Sequence, residues 1–138
     1  VKVERCAANP EWAGLRRQLW PNSQDAELLT TLERGAAFLI RDDTGRAIGF
    51  AEAALRHDYV NGCNTSPVVF LEGIFVCPEH RRQGAARLLC RAVANWAKAA
   101  GVTEFASDVP LDNPDSQQMH IALGFTETER VIYYRKML

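Results

Sequence analysis

The stretch from Val68 to Asp108 constrains the fold of this chain more than any other. It opens with the apolar run Val68-Val69-Phe70-Leu71-Glu72-Gly73-Ile74-Phe75-Val76, the most strand-like segment of the sequence. A basic, glycine-marked turn follows, Cys77-Pro78-Glu79-His80-Arg81-Arg82-Gln83-Gly84-Ala85-Ala86. Leu88/Leu89, Ala92/Val93, Trp96 and Ala99/Ala100 then recur with a helical period, and Gly101 closes that helix. Glu104 to Ser107 reads as a short strand. Strand, helix and strand in this order imply a right-handed parallel crossover.

Upstream, Val1 to Cys6 reads as a first strand, and Pro10 to Leu19 as a helix capped by Asn9 with proline at its first position. Asp25 to Arg34 predicts a second helix ended by Gly35. Ala36 to Arg41 and Ala47 to Arg56 form a hairpin around Asp42-Asp43-Thr44-Gly45. The loop from His57 to Pro67 carries the turn signals Asn61-Gly62 and Ser66-Pro67. Downstream, Asn113 caps a helix that starts at Pro114 and ends at Gly124, and Thr128 to Lys136 is expected to be a final strand closing the sheet. The fold class is mixed α/β: antiparallel strands first, then the crossover unit, then a helix and a strand.

With 138 residues the chain is expected to be one domain, and 47% hydrophobic residues suffice for a single core. Sixteen basic against 17 acidic residues argue against a nucleic-acid binder that relies on a broad basic face. No apolar run approaches membrane-spanning length and no signal peptide is visible, so neither a membrane partner nor export is expected. Cys6, Cys63, Cys77 and Cys90 form no Cys-x-x-Cys pair, and His57, His80 and His120 lack metal-ligand spacing. Reduced thiols in a cytoplasmic protein without a metal are the expectation.

The turn before the long helix is suited to an anion. Helix N-termini present unsatisfied N–H groups and the positive end of the helix dipole. Gly84, Ala85 and Ala86 keep side chains away, so a pyrophosphate can approach the backbone, with Arg81, Arg82 and Gln83 beside it. A Walker loop would need Gly-Lys-Ser/Thr, and a dinucleotide fingerprint would need more glycines. A basic first turn of an ordinary helix would look similar.

Glu72 is the sharpest single residue. A lone carboxylate in an apolar strand is costly to bury and is paired in a structural ion pair, turned to an edge, or functional. Gly73 beside it signals a bulge or a close backbone approach. Asp108 ends the next strand, where ligands of open α/β sheets gather. It either starts a turn before Val109-Pro110 or joins Glu72 in offering negative charge to a cation.

The turn also resembles the coenzyme A loop of the GNAT superfamily of N-acetyltransferases. Their Arg/Gln-x-x-Gly-x-Gly/Ala pattern is matched by Arg81, Gly84 and Ala86, after a Val-x-Pro exit matched by Val76-Cys77-Pro78. The order of elements follows the GNAT fold along nearly the whole chain. That fold implies a central, mostly antiparallel sheet with one parallel, splayed strand pair and flanking helices. The resemblance implies that acetyl-CoA is the co-substrate, with Ile74, Phe75 and Val76 facing its pantetheine arm and Asn113 adding a contact besides its capping. His120-Ile121-Ala122-Leu123-Gly124-Phe125 is similar to the family's Tyr-x-x-x-Gly-Phe ending, with His120 in place of the tyrosine that protonates the departing thiolate. An imidazole titrates near neutrality and can serve. Tyr133 and Tyr134 are other candidates, and Cys77 is a conceivable acyl carrier.

A closer resemblance is to bacterial aminoglycoside 6′-N-acetyltransferases. It is carried by Leu19-Trp20-Pro21, by Arg56-His57-Asp58-Tyr59-Val60-Asn61-Gly62, by Ser66 to Val76, by Ala106-Ser107-Asp108 and by Ala122 to Val131. It implies that Trp20, Tyr59, Glu72, Asp108 and Glu129 line an antibiotic site. Glu72, Asp108 and His120 would carry the chemistry, by direct transfer in a ternary complex. It also implies a homodimer, with Arg130 to Lys136 a candidate contact. Another small polyamine or amino sugar as acceptor, or a non-catalytic acyl-CoA-binding regulator, are the competing readings.

Overall fold

The computed structural model describes all residues, Val1–Leu138. Its elements are β1 (Lys2–Arg5), α1 (Pro10–Leu19), α2 (Ala26–Arg34), β2 (Gly35–Arg41), β3 (Ala47–Arg56), β4 (Val68–Val76), α3 (Ala85–Ala99), β5 (Phe105–Ala106) and α4 (Pro114–Ala122), with a short 3₁₀ turn over Pro78–His80. The strands lie in sequence order in one sheet, antiparallel throughout except for the parallel pair β4/β5.

Local chemistry accounts for the boundaries. Asn9 Oδ1 accepts from Trp12 N at 2.9 Å and Pro10 takes the first helical position, so α1 starts as expected. Asp42 Oδ1 accepts from the Thr44 and Arg46 amides, which closes the β2–β3 turn. α2 also starts where expected, without a side-chain cap from Asp25, which is already helical. Glu27 instead accepts from Gln24 N at 2.7 Å.

Two apolar layers cover the sheet. On one face α3 lays Leu89, Cys90, Val93 and Ala97 onto Phe38, Ile40, Ala51, Val69 and Leu71. On the other, Trp12, Leu15 and Leu28 of α1 and α2 pack on Leu39 and Phe50. Each fully buried Leu, Ile, Val or Phe among them stabilises the fold by roughly 1.5–3 kcal/mol. No helix is long and apolar enough to cross a membrane.

One expectation fails outright. Residues 126–138 form no strand and make no backbone hydrogen bond to the sheet. Ile132, Tyr133 and Tyr134 are 77%, 84% and 88% exposed. Residue preference for strands is realised only against a partner strand. β5 spans two residues and offers that segment no ladder.

Candidate active site

The cleft opens on the α1/α2 side of the sheet and holds about 600 Å³. Its walls are Arg16 and Leu19 of α1, Trp20, Pro21, Asn22 and Ser23 from the α1–α2 connection, and Glu27, Thr30, Thr31 and Arg34 from α2. Its floor is Glu52, Ala53 and Ala54 of β3 with Glu72 of β4.

Glu72 reaches the cleft because β4 bulges there. Glu52 pairs with Gly73 and Ala53 with Leu71, leaving Glu72 outside the ladder. Gly73 also permits a close approach: a Cβ would come within 2.3 Å of the Trp20 ring. Trp20 packs edge-on to Phe50 at 6.1 Å between centroids. Glu72 and Trp20 are thus brought together, and Gly73 serves both bulge and contact. The Glu72 carboxylate is not free. Arg56 Nε donates to Oε1 at 3.0 Å and Nη2 to Oε2 at 2.9 Å. The ion-pair alternative weighed for Glu72 is realised, in a pair that remains part-exposed within the cleft.

Below it lies a network that sequence reasoning missed. Glu52 is 1% exposed. Its carboxylate accepts from Arg16 Nε and Nη2 (2.5 and 3.1 Å), Trp12 Nε1 (3.0 Å) and Thr31 Oγ1 (3.0 Å). The same guanidinium donates to Ser23 Oγ and Glu27 and lies 4.8 Å from the Trp20 ring centroid. Burial works against the Arg16 charge, but hydrogen bonding and attraction to Glu52 outweigh it and raise its pKa. Glu27 is held below the ordinary carboxylate range, first by the Gln24 amide and also by Ser23 and Arg16. The signal for Glu52 was present: a carboxylate in the otherwise apolar run from Ala47 to Leu55.

The remaining candidates lie outside the cleft lining. Tyr59 is 74% exposed on its loop, and Asp108 and Glu129 are exposed. The loop bearing Tyr59 meets the segment bearing Glu129 where Gly62 packs on Thr128. Arg130 pairs with Glu127, not with Glu129. His120 is part-buried, with Nδ1 2.7 Å from the Ser116 carbonyl and Nε2 2.8 Å from Ser107 Oγ. A carbonyl only accepts, so Nδ1 carries a proton; neutral Nε2 then accepts from Ser107. Asn113 caps α4, its Oδ1 accepting from Ser116 N at 3.2 Å.

On the far edge of β4 the sheet parts. β5 pairs only at Val69↔Phe105 and Phe70↔Ala106, so the edge from Leu71 to Val76 has no strand beside it. The edge leads into the basic turn, where Arg82 (φ 61°) and Gly84 (φ 88°) are both left-handed. The first amides of α3, those of Ala85, Ala86 and Arg87, donate to no protein acceptor, and no side chain caps the helix. Nothing lies within 4 Å of where a Gly84 Cβ would be. A cradle of inward-facing amides with room above it fits a pyrophosphate. Arg82 and Gln83 flank it, while Arg81 is turned back, its Nε donating to the Val76 carbonyl at 2.7 Å and its guanidinium near Phe75. No three His, Cys, Asp or Glu side chains gather as a metal ion would require.

The profile of the acetyltransferase (GNAT) family matches residues 6–125. The chain belongs to the GNAT acetyltransferase family. Among curated GNAT relatives, the aminoglycoside N(6′)-acetyltransferase type 1 of Salmonella typhimurium is 53% identical over 131 residues, covering 91% of this chain and 90% of that protein. The enzyme of the same name from Acinetobacter haemolyticus is 46% identical, covering 100% and 98%. A solved structure of AAC(6′)-Iy with the bisubstrate analogue CoA-S-monomethyl-acetylneamine superposes with TM-score 0.90 at 48% identity, over 99% of this chain and 98% of that one. The aminoglycoside 6′-N-acetyltransferase AAC(6′)-Ih from Acinetobacter baumannii gives 0.89 at 45%, over 99% and 98%. The mixed sheet with its single parallel, parting strand pair is the GNAT architecture expected from the sequence.

Proposed function

We propose that this chain transfers the acetyl group of acetyl-CoA to the 6′-amine of an aminoglycoside, by direct attack with both substrates bound. The observation that carries this reading is a juxtaposition at one bulge. Glu72 and Trp20 face the cleft, and two residues later the unpaired edge Ile74–Val76 runs into the amide cradle of Gly84–Arg87. The high identity to enzymes named for this reaction, over nearly the full length of both chains, supports the same assignment.

Bound acetyl-CoA supplies an activated acetyl thioester. In this reading the amides of Ala85 and Ala86, with Gly84, Arg82 and Gln83, hold its pyrophosphate. Arg81 shapes the turn through its bond to Val76, and Asn113 adds a contact beside its cap. Ile74, Phe75 and Val76 offer backbone groups to the pantetheine arm along the open edge. Trp20 walls the drug site, Glu72 anchors the 6′-ammonium and accepts its proton, and Tyr59, Asp108 and Glu129 bind the drug from the surrounding loops. The amine nitrogen bonds to the acetyl carbon as the carbon–sulfur bond breaks. The departing thiolate takes up a proton from water, or from His120 when its Nε2 is also protonated and Ser107 relays that proton. Acetylation turns a cationic group into a neutral amide, which weakens any partner that reads the drug by charge.

Cys77 has no part in this scheme: it is buried, and burial, aided by Glu79, pushes its thiol pKa up. We further propose that the protein is a cytoplasmic homodimer. The exposed apolar segment Val131–Tyr134 supports the contact, and four free cysteines support the compartment.

The test is thiol release by purified protein with acetyl-CoA and a panel of aminoglycosides. Release with 6′-amino drugs but not with 6′-hydroxyl counterparts is expected. No release with any 6′-amino drug would sink the assignment, and release with simple polyamines instead would reassign the acceptor. Glu72→Gln is expected to lower turnover and drug affinity while leaving acetyl-CoA affinity nearly unchanged.

A further inference from the structure

The pairing of Arg56 with Glu72 carries a consequence for substrate choice. Arg56 ends β3, and its side chain runs back along the sheet over Phe70, with the guanidinium carbon 3.6 Å from that ring's centroid. From there both nitrogens of the fork reach Glu72. Arg56, Phe70 and Glu72 thus form one row on one face of the sheet. The ring fixes the plane of the guanidinium, and the guanidinium fixes the plane of the carboxylate. The Arg56 and Glu72 side chains are 42% and 34% exposed, so solvent reaches the pair and a ligand can too.

We infer that Arg56 is a specificity-determining residue, an internal cation that occupies Glu72 until a substrate ammonium takes its place. This rests on Glu72 being the anchor for the substrate amine. Two donors of a guanidinium satisfy both carboxylate oxygens, whereas one ammonium approaches as a compact point charge. A ligand with a single amine exchanges a two-point grip for a lesser one and gains little. A polycation brings further ammonium groups to the exposed Glu27 carboxylate on the α2 wall of the cleft and offsets the exchange. Arg56 therefore sets a threshold that favours polycations over simple amines. Its stem and its contact with Phe70 need not move for the carboxylate to change partners.

The experiment measures neamine binding to the protein by calorimetry without acetyl-CoA, for the wild type, Arg56→Met, Glu72→Gln and the double variant, with thermal melting to confirm folding. Methionine keeps the apolar stem on Phe70 and removes only the competing charge. Arg56→Met is expected to tighten neamine binding roughly three- to tenfold, the worth of a half-exposed two-point ion pair. In the Glu72→Gln background the same change is expected to gain less than about twofold, because the contested carboxylate is gone. Arg56→Lys, which keeps the charge but loses the fork, is expected to lie between wild type and Arg56→Met and replaces the latter if it melts early. Unchanged or weaker binding in Arg56→Met, or an equal gain in both backgrounds, overturns the inference. Failure of the wild type to bind neamine or any 6′-amino drug rejects the functional assignment instead.

Discussion

Glu52 and Glu72 are both carboxylates set in apolar strands and both meet an arginine fork, yet their surroundings give them different work. Glu52 is sealed under α1 with four hydrogen-bond donors and no solvent, so its charge holds Arg16 and through it Ser23, Glu27 and Trp20. Glu72 stands at a bulge with one partner and an open side. Breaking a buried pair strands the remaining charge. Glu52→Gln is therefore expected to destabilise the fold by about 3 kcal/mol, read as a lowered urea midpoint. An unchanged midpoint would show that Arg16 finds other partners. Glu72 was legible in the sequence because Val, Phe and Ile flank it. Glu52 passed unnoticed among alanines, and its partners Trp12 and Arg16 lie 40 and 36 residues away, a pairing visible only once α1 docks on β3.

At the scale of elements, the α3 N-terminus is the clearest case of a site made by backbone. Gly84 sits at φ 88° with empty space beyond it, and three amides stand unused behind it. Gly84→Asp adds a side chain at a left-handed position and a negative charge where an anion is expected. Acetyl-CoA affinity should fall by roughly tenfold or more, measured by calorimetry, with drug binding to the free protein little changed. Equal affinity for acetyl-CoA would place the coenzyme elsewhere. This turn was legible because its chemistry is local: glycine, alanines and a helix start adjacent in sequence. The cleft was less so. Trp20 and Glu72 could be named singly, but their meeting at Gly73 depends on a bulge register. The sequence of residues 128–136 suggested a strand as strongly as β1 did, and only the lack of a neighbouring ladder leaves it irregular.

For the whole molecule, that same segment carries the longest run of consecutive exposed large apolar side chains, Val131 to Tyr134. Ile132, Tyr133 and Tyr134 are each exposed to solvent, and association with a second copy would cover them. Sedimentation velocity at micromolar concentration is expected to give twice the mass of one chain, and the pair of changes Ile132→Asp and Tyr133→Asp to shift it toward one. A wild-type protein of single-chain mass would remove the dimer from the scheme. The cleft is framed differently from the core. Its wall is tied to the sheet by one guanidinium shared among Glu52, Ser23 and Glu27, while Asn22 and Thr30 look into the same space from exposed positions outside that frame. Frame and lining are thus separable under mutation. The lining can be resculpted toward new antibiotics one exposed residue at a time, with little effect on folding, and that separability is what makes such a cleft evolvable.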